Sequence, residues 1–297
     1  MSSPQAESLK HPLPLVFPRK HTHKATLINL HGRGSTAQKF AAPLLEHLVS
    51  PSTTQLEQED PPKSFHEHLP NTKFIFPSAP LRRAVVFIRS LTHQWFNNWS
   101  LTQPEVKQHL QIQAEIDTIG AQNVVLMGLS QGFAASLVAA MTWDEEPFGA
   151  LIGMCRWLPF RRDMQDLFGD EEQCDDMNFE NDIDVVFERA GTKVGTKLEQ
   201  VVEWLREELS LSGERGETAG LPPLRSIPVF MGHGMEDQKV PSELGQIAAG
   251  FLKAVEVDVD WRHYEGLGHW YSEDMLQDVV DFLRDLKVAQ VLTVIGC

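Results

Sequence analysis

Short apolar runs alternate with longer amphipathic stretches from residue 25 to residue 287. Ala25–Leu30 (ATLINL), Lys73–Phe76, Asn123–Met127 (NVVLM), 148–153, 227–232 and 256–263 are brief and mostly apolar, a pattern that predicts buried strands. Between them, residues 36–49, 104–118, 131–142, 241–254 and 273–287 carry helical spacing, with Pro104 suited to a first turn and 131–142 rich in Ala. Strands that alternate with helices in this way predict an α/β fold. Its central sheet is expected to be mostly parallel and covered by helices on both faces.

One segment breaks the rhythm. Residues 163–217 hold 17 acidic residues against 5 basic ones, and 170–184 contains no basic residue. In its second half Leu198, Val201, Val202, Leu205 and Leu209 recur at helical spacing, which predicts a helix near 196–210 packed by one face. The expected organisation is an N-terminal arm over 1–23, a single domain over 24–290 with an acidic insertion at 163–222, and a tail at 291–297. The insertion reads either as a solvated elaboration with one packed helix or as a lid or partner-docking element.

The chain of 297 residues has a formal charge of −15, and the acidic segment supplies −12 of it. The remainder is nearly balanced but offers no basic patch, so nucleic acid is not an expected partner. No apolar run reaches the length of a membrane span or a secretory leader, so no stable membrane insertion is expected. Cys297 is the last residue, whereas prenylation requires Cys at the position of Val294. Cys155, Cys174 and Cys297 are too few for a disulfide framework, and a reducing, cytoplasmic setting is expected.

Gly128-Leu129-Ser130-Gln131-Gly132 matches G-x-S-x-G, follows a β-branched strand and opens a helix. Such a turn lifts a serine hydroxyl clear of the sheet, and the glycines remove side chains that would clash there. A serine hydroxyl needs an adjacent base, and the base needs a carboxylate to orient it. Asp237 lies in the loop after 227–232, and His269 lies in a Gly-flanked loop after 256–263. Both loops fall at the C-terminal ends of strands, where crevice residues of an open sheet belong. Ser130, Asp237 and His269 are therefore the candidate catalytic set. His233 is the rival base and Glu236 the rival acid.

An oxyanion developing on the attacked carbonyl needs backbone donors. The amide after the serine, Gln131, is one candidate. The other is Arg33, in the loop His31-Gly32-Arg33-Gly34, where flanking glycines let the backbone turn inward.

These segments resemble the acyl-protein thioesterase / phospholipase–carboxylesterase family of small α/β-hydrolases. The resemblance rests on Leu30-His31-Gly32-Arg33-Gly34, Pro77-Ser78-Ala79-Pro80-Leu81-Arg82, Trp95-Phe96 and Gly128-Leu129-Ser130-Gln131-Gly132. It continues through Trp157-Leu158-Pro159, Gly232-His233-Gly234 with Asp237 and Val240-Pro241, and Tyr264-Glu265-Gly266 with Gly268-His269. It implies a hydrolase of carboxylic esters or thioesters that uses no cofactor and acts on a small-molecule or acylated substrate, often with a hydrophobic acyl channel. The chain departs from the family at Phe133, Ser35, Arg33 and Trp270, residues that bear on the pocket rim.

Trp95, Trp157 and Trp270 are candidate substrate-binding residues beside these motifs, and Trp99 is a further aromatic near them. His21/His23 and His66/His68 lie in polar loops without nearby Cys or acid ligands, so no metal is expected there. Two alternatives stay open. One is an esterase or acyltransferase of a specialised pathway with the same three residues; the other is a binding protein of the same fold without catalysis.

Overall fold

The computed structural model describes residues 12–50, 61–83, 90–96, 106–155, 157–168, 195–211 and 221–286. Trp99, Cys174, Cys297, the middle of the acidic insertion and the 291–297 tail lie outside the described residues.

Seven strands form the main sheet: β1 (Leu15–Phe17), β2 (Ala25–Leu30), β3 (Thr72–Phe76), β4 (Val124–Leu129), β5 (Ala150–Met154), β6 (Val229–Gly234) and β7 (Val259–Tyr264). Their spatial order is β1-β3-β2-β4-β5-β6-β7. Every pairing is parallel except β1 with β3, where Leu15 faces Phe76 and Phe17 faces Phe74. β1 corrects the expectation of a loose arm over 1–23: Leu15, Val16 and Phe17 extend the sheet edge. Three residues flanked by prolines carry too little pattern to read as a strand.

The longer helices among the described residues are α1 (Ala37–Leu45), α2 (Val106–Ile119), α3 (Gln131–Thr142), α4 (Lys197–Glu208), α5 (Ser242–Ala254) and α6 (Glu273–Asp285), with short ones at Phe65–His68 and Arg161–Asp166. β2, β4, β5 and β6 are buried at every position, as strands covered on both faces must be. Their side chains alternate between two cores. In β4, Val124 and Leu126 point to one face with Leu137 and Met141 of α3, Leu205 of α4 and Leu252 of α5. Val125, Met127 and Leu129 point to the other, with Phe40 and Leu44 of α1 and Met275 and Val280 of α6.

α4 is the expected helix of the acidic segment. Thr196 and Glu199 form a capping box at its start, and Leu198, Val201, Val202 and Leu205 bury against the α3 side of the sheet. The expected helix over 36–49 ends at Leu45, and Leu48–Val49 instead pairs with Lys63–Ser64 in a small two-stranded sheet. A second such ribbon, Leu81–Arg83 against Leu91–His93, was not expected from the sequence. Among the described residues, no helix is long and apolar enough to cross a membrane.

Candidate active site

β4 runs into α3 through a single residue, Ser130, whose backbone is left-handed (φ 54°, ψ −122°). Close packing on both sides of the turn explains the glycines. A Cβ on Gly128 would fall 2.3 Å from the Phe133 amide nitrogen, and one on Gly132 would fall 2.1 Å from the Leu30 carbonyl oxygen. The Ser130 amide donates to Met154 O at 2.8 Å, tying the turn to the end of β5. Ser130 is 8% exposed, so its surroundings are largely shielded from water.

Asp237 and His269 come from the loops after β6 and β7. His269 Nδ1 lies 2.7 Å from Asp237 Oδ2. The other carboxylate oxygen accepts the amides of Lys239 and Val240, both at 2.9 Å. Burial pushes the Asp237 carboxyl up, but the Val240 amide, the His269 ring and the Lys239 amide outweigh it. The net effect holds the group below its ordinary value, ionised beside His269. The loop carrying His269 rests on Gly234, where a Cβ would meet Leu267 O at 2.1 Å. Glu236 N donates to Leu267 O at 3.0 Å, joining the two loops through their backbones.

The two rivals occupy different positions. His233 is fully buried in β6 and its Nε2 lies 2.9 Å from Val240 O and 3.2 Å from Asp237 Oδ2. It braces the back of the aspartate. Glu236 is exposed and uses its amide, not its carboxylate, in the contact between the loops.

The glycine loop after β2 stands against the serine turn: a Cβ on Gly32 would lie 3.5 Å from Ser130 Cβ. The loop is held from behind. His31 is fully buried, with Nδ1 2.8 Å from Gly32 O and Nε2 accepting the Ala79 amide at 3.0 Å. Burial lowers the His31 imidazole to about 4, so it is neutral at pH 7. The Trp95 indole donates to His31 O at 2.7 Å, the Trp95 amide donates to Gln131 Oε1 at 3.0 Å, and Gln131 Nε2 donates to Phe96 O at 2.9 Å. Gly32–Gly34, Trp95–Phe96 and Gln131 thus form one hydrogen-bonded unit around Ser130.

The aromatic candidates divide. Trp95 is almost fully buried in this unit, Trp157 is half-buried against the α3-side core, and Trp270 is 40% exposed, stacked on Tyr271. Phe133 fills the core under α3. Two residues of the site carry no catalytic motif in the sequence: Cys155, buried at the end of β5 with its thiol pointing at the His269 loop, and the His31 side chain. A buried His directly after a strand, next to a glycine that must turn, was the available signal for His31.

A family model described as Phospholipase/Carboxylesterase matches residues 211–287. The chain is 27% identical to "Acyl-protein thioesterase 1" of Gibberella zeae over 288 residues, 91% of this chain and 94% of that protein. It is 21% identical to "Carboxylesterase SOBER1" of Arabidopsis thaliana over 230 residues, covering 73% and 78% of the two chains. Among solved structures, Zea mays acyl-protein thioesterase 2 superposes with a TM-score of 0.58 at 20% identity, covering 92% of this chain and 98% of that one. Arabidopsis thaliana SOBER1 gives 0.57 at 20% identity, over 89% and 99%. These structural likenesses are likenesses of fold, and the fold is that of the α/β-hydrolases.

Proposed function

We propose that the chain is a member of the phospholipase/carboxylesterase family of α/β-hydrolases, whose model matches residues 211–287, and that it cleaves a carboxylic ester or thioester through an acyl-enzyme on Ser130. The observation that carries this reading is the 2.7 Å contact between Asp237 and His269, on the loops after β6 and β7, taken with the strained serine turn at the end of β4. His269 Nδ1–H faces the ionised Asp237, which leaves the Nε2 lone pair as the base for the Ser130 hydroxyl. Ser130 Oγ then attacks the acyl carbon, and the proton held by His269 passes to the leaving alcohol or thiol. Water, deprotonated by the same ring, releases the acid and restores Ser130.

Arg33 N–H and Gln131 N–H are the proposed oxyanion donors. The closeness of Gly32 to Ser130 and the His31–Trp95–Gln131 hydrogen bonds support that role, because donors held in place need little reorganisation as charge develops. Trp157 and Trp270 are proposed to contact the substrate; Trp95, buried behind the glycine loop and bonded to His31 O, is proposed to act by holding that loop. The substrate is proposed to be a small-molecule or acylated ester or thioester, met in the cytoplasm.

A fluorophosphonate probe tests the assignment. It is expected to label the wild-type chain and to leave Ser130→Ala unlabelled; undiminished labelling of that variant overturns it.

A further inference from the structure

Cys155 follows β5 in a left-handed conformation (φ 49°) and is fully buried, with its amide bonded to Gly232 O at 3.0 Å. Its thiol donates to Trp270 O at 3.1 Å and lies 3.8 Å from Gly268 O, the two carbonyls that flank His269. The sulfur therefore sits beside the Asp237–His269 pair. One donor atom each from Cys155, Asp237 and His269 lies within 4.8 Å of the other two. Acyl transfer on Ser130 makes no use of this thiol.

Thiolate, imidazole and carboxylate together are a donor set for zinc and other thiophilic divalent cations, at bond lengths of about 2.0–2.3 Å. Tetrahedral donors at such lengths stand about 3.3–3.8 Å apart, so shifts on the order of 1 Å bring these three to bonding positions. Sulfur disfavours the hard cations magnesium and calcium. The His269 ring, partly exposed, gives an ion its way in.

We infer that Cys155, Asp237 and His269 form an inhibitory site for a thiophilic divalent cation of the zinc class, its coordination completed by water or the Trp270 carbonyl. The inhibition rests on the proposed role of His269 as base; the binding does not. On binding, the Cys155 thiol gives its proton to solvent and the thiolate bonds to the cation. The cation takes Nδ1, the ring nitrogen that faces Asp237, and the proton from Nδ1 is replaced by one on Nε2 through solvent exchange. One proton is released for each ion bound. A ring protonated on Nε2 has no lone pair for the Ser130 hydroxyl, so the enzyme is silenced with its serine untouched.

The experiment uses the full-length chain. Zn²⁺ is titrated against hydrolysis of a p-nitrophenyl ester, with each variant compared to its own metal-free rate. Wild type is expected to lose activity and recover it on chelation, and Cys155→Ser is expected to need at least about 100-fold more Zn²⁺. Co²⁺ provides a readout independent of turnover, the thiolate-to-cobalt absorption band. That band is expected in wild type and in Cys174→Ser/Cys297→Ser, and is expected to vanish in Cys155→Ser. His269→Ala, which removes a partly exposed ligand, is expected to weaken Co²⁺ binding at least about 10-fold. Equal Zn²⁺ sensitivity of wild type and Cys155→Ser, or a cobalt band that is missing from wild type or survives Cys155→Ser, overturns the inference. Absent ester turnover with an intact cobalt band would overturn the hydrolase reading and leave the metal site standing.

Discussion

The Ser130 amide reaches Met154 O at 2.8 Å across the ends of two neighbouring strands, and this bond helps hold a backbone with φ 54° and ψ −122°. A β-carbon in that region costs about 1–3 kcal/mol, so the serine is kept there by its surroundings and not by its own preference. Ser130→Gly is expected to raise stability by about 1 kcal/mol, because glycine adopts the conformation without steric cost. Ser130→Ala keeps the strained β-carbon and is expected to stay near wild-type stability. Both are expected to lose ester turnover by at least about 10³-fold. Urea melts and initial rates on the three proteins check this; a glycine variant less stable than the alanine one contradicts the strain argument.

Gly132 tolerates no side chain. A Cβ there would stand 2.1 Å from Leu30 O and 2.7 Å from His31 O, and both contacts are backbone at the end of a fully buried strand. Neither can swing aside as a side-chain tip could. Gly132→Ala is expected to cost at least about 2 kcal/mol and to push the glycine loop away from Ser130. Gly250 is the contrast: it lies on an exposed face of α5, and a Cβ there would meet nothing within 4 Å among the described residues. Gly250→Ala is therefore expected to be neutral or slightly stabilising. Denaturant midpoints of the two variants give the comparison.

Asp237 has a carboxyl held below its ordinary 3.8 despite burial, because the Val240 amide, the His269 ring and the Lys239 amide all favour the charged form. A group whose folded pKa is depressed contributes stability above its unfolded value and loses it as the pH falls through the folded one. The stability gap between wild type and Asp237→Asn is therefore expected to be constant near neutrality and to shrink below pH 3.8. Turnover should fall about 10⁴-fold in the same variant, since an amide no longer favours the proton on His269 Nδ1. A gap that stays unchanged into acid would mean that the three hydrogen bonds do not favour the ionised form.

How much of this was legible in the sequence follows from the range of the forces involved. β2, β4, β5 and β6 were readable because strands buried on both faces are mostly apolar, and α4 because its apolar positions recur every three or four residues. Asp237 and His269 were readable from their places after two such strands. β1 and the 81–83/91–93 ribbon escaped, since three-residue strands carry almost no periodicity and are fixed by the partner they pair with. The His31–Ala79, Trp95–His31 and Gln131–Phe96 bonds join residues 35 to 64 positions apart. Such contacts exist only once the sheet has formed. Cys155 was invisible as part of the site for the same reason: its thiol meets carbonyls more than 110 residues away.

His31 ties loop geometry to pH in a way that can be measured. Its Nδ1–H donates to Gly32 O, and its Nε2 accepts the Ala79 amide, so the fold requires the neutral ring. Burial, partly opposed by the bond to Gly32 and reinforced by His93, moves its pKa from 6.5 to about 4. The sign follows from proton counts: between these values the unfolded chain holds a proton that the folded chain refuses, so stability falls as pH falls. A shift of that size corresponds to about 3 kcal/mol, lost progressively from pH 6.5 down to about 4 and level below it. His31→Gln carries no such titration. Its stability deficit relative to wild type is expected to be largest near pH 7 and to narrow by about 3 kcal/mol by pH 4. Its turnover at pH 7 is expected to fall about 10²–10³-fold, the cost of misplacing the oxyanion donor proposed at Arg33, because the Gly32–Arg33 backbone loses its anchor. Urea melts of both proteins at pH 7, 5.5 and 4.5, with ester hydrolysis at pH 7, measure the two effects. A deficit that does not change with pH would show that His31 is not held neutral by burial.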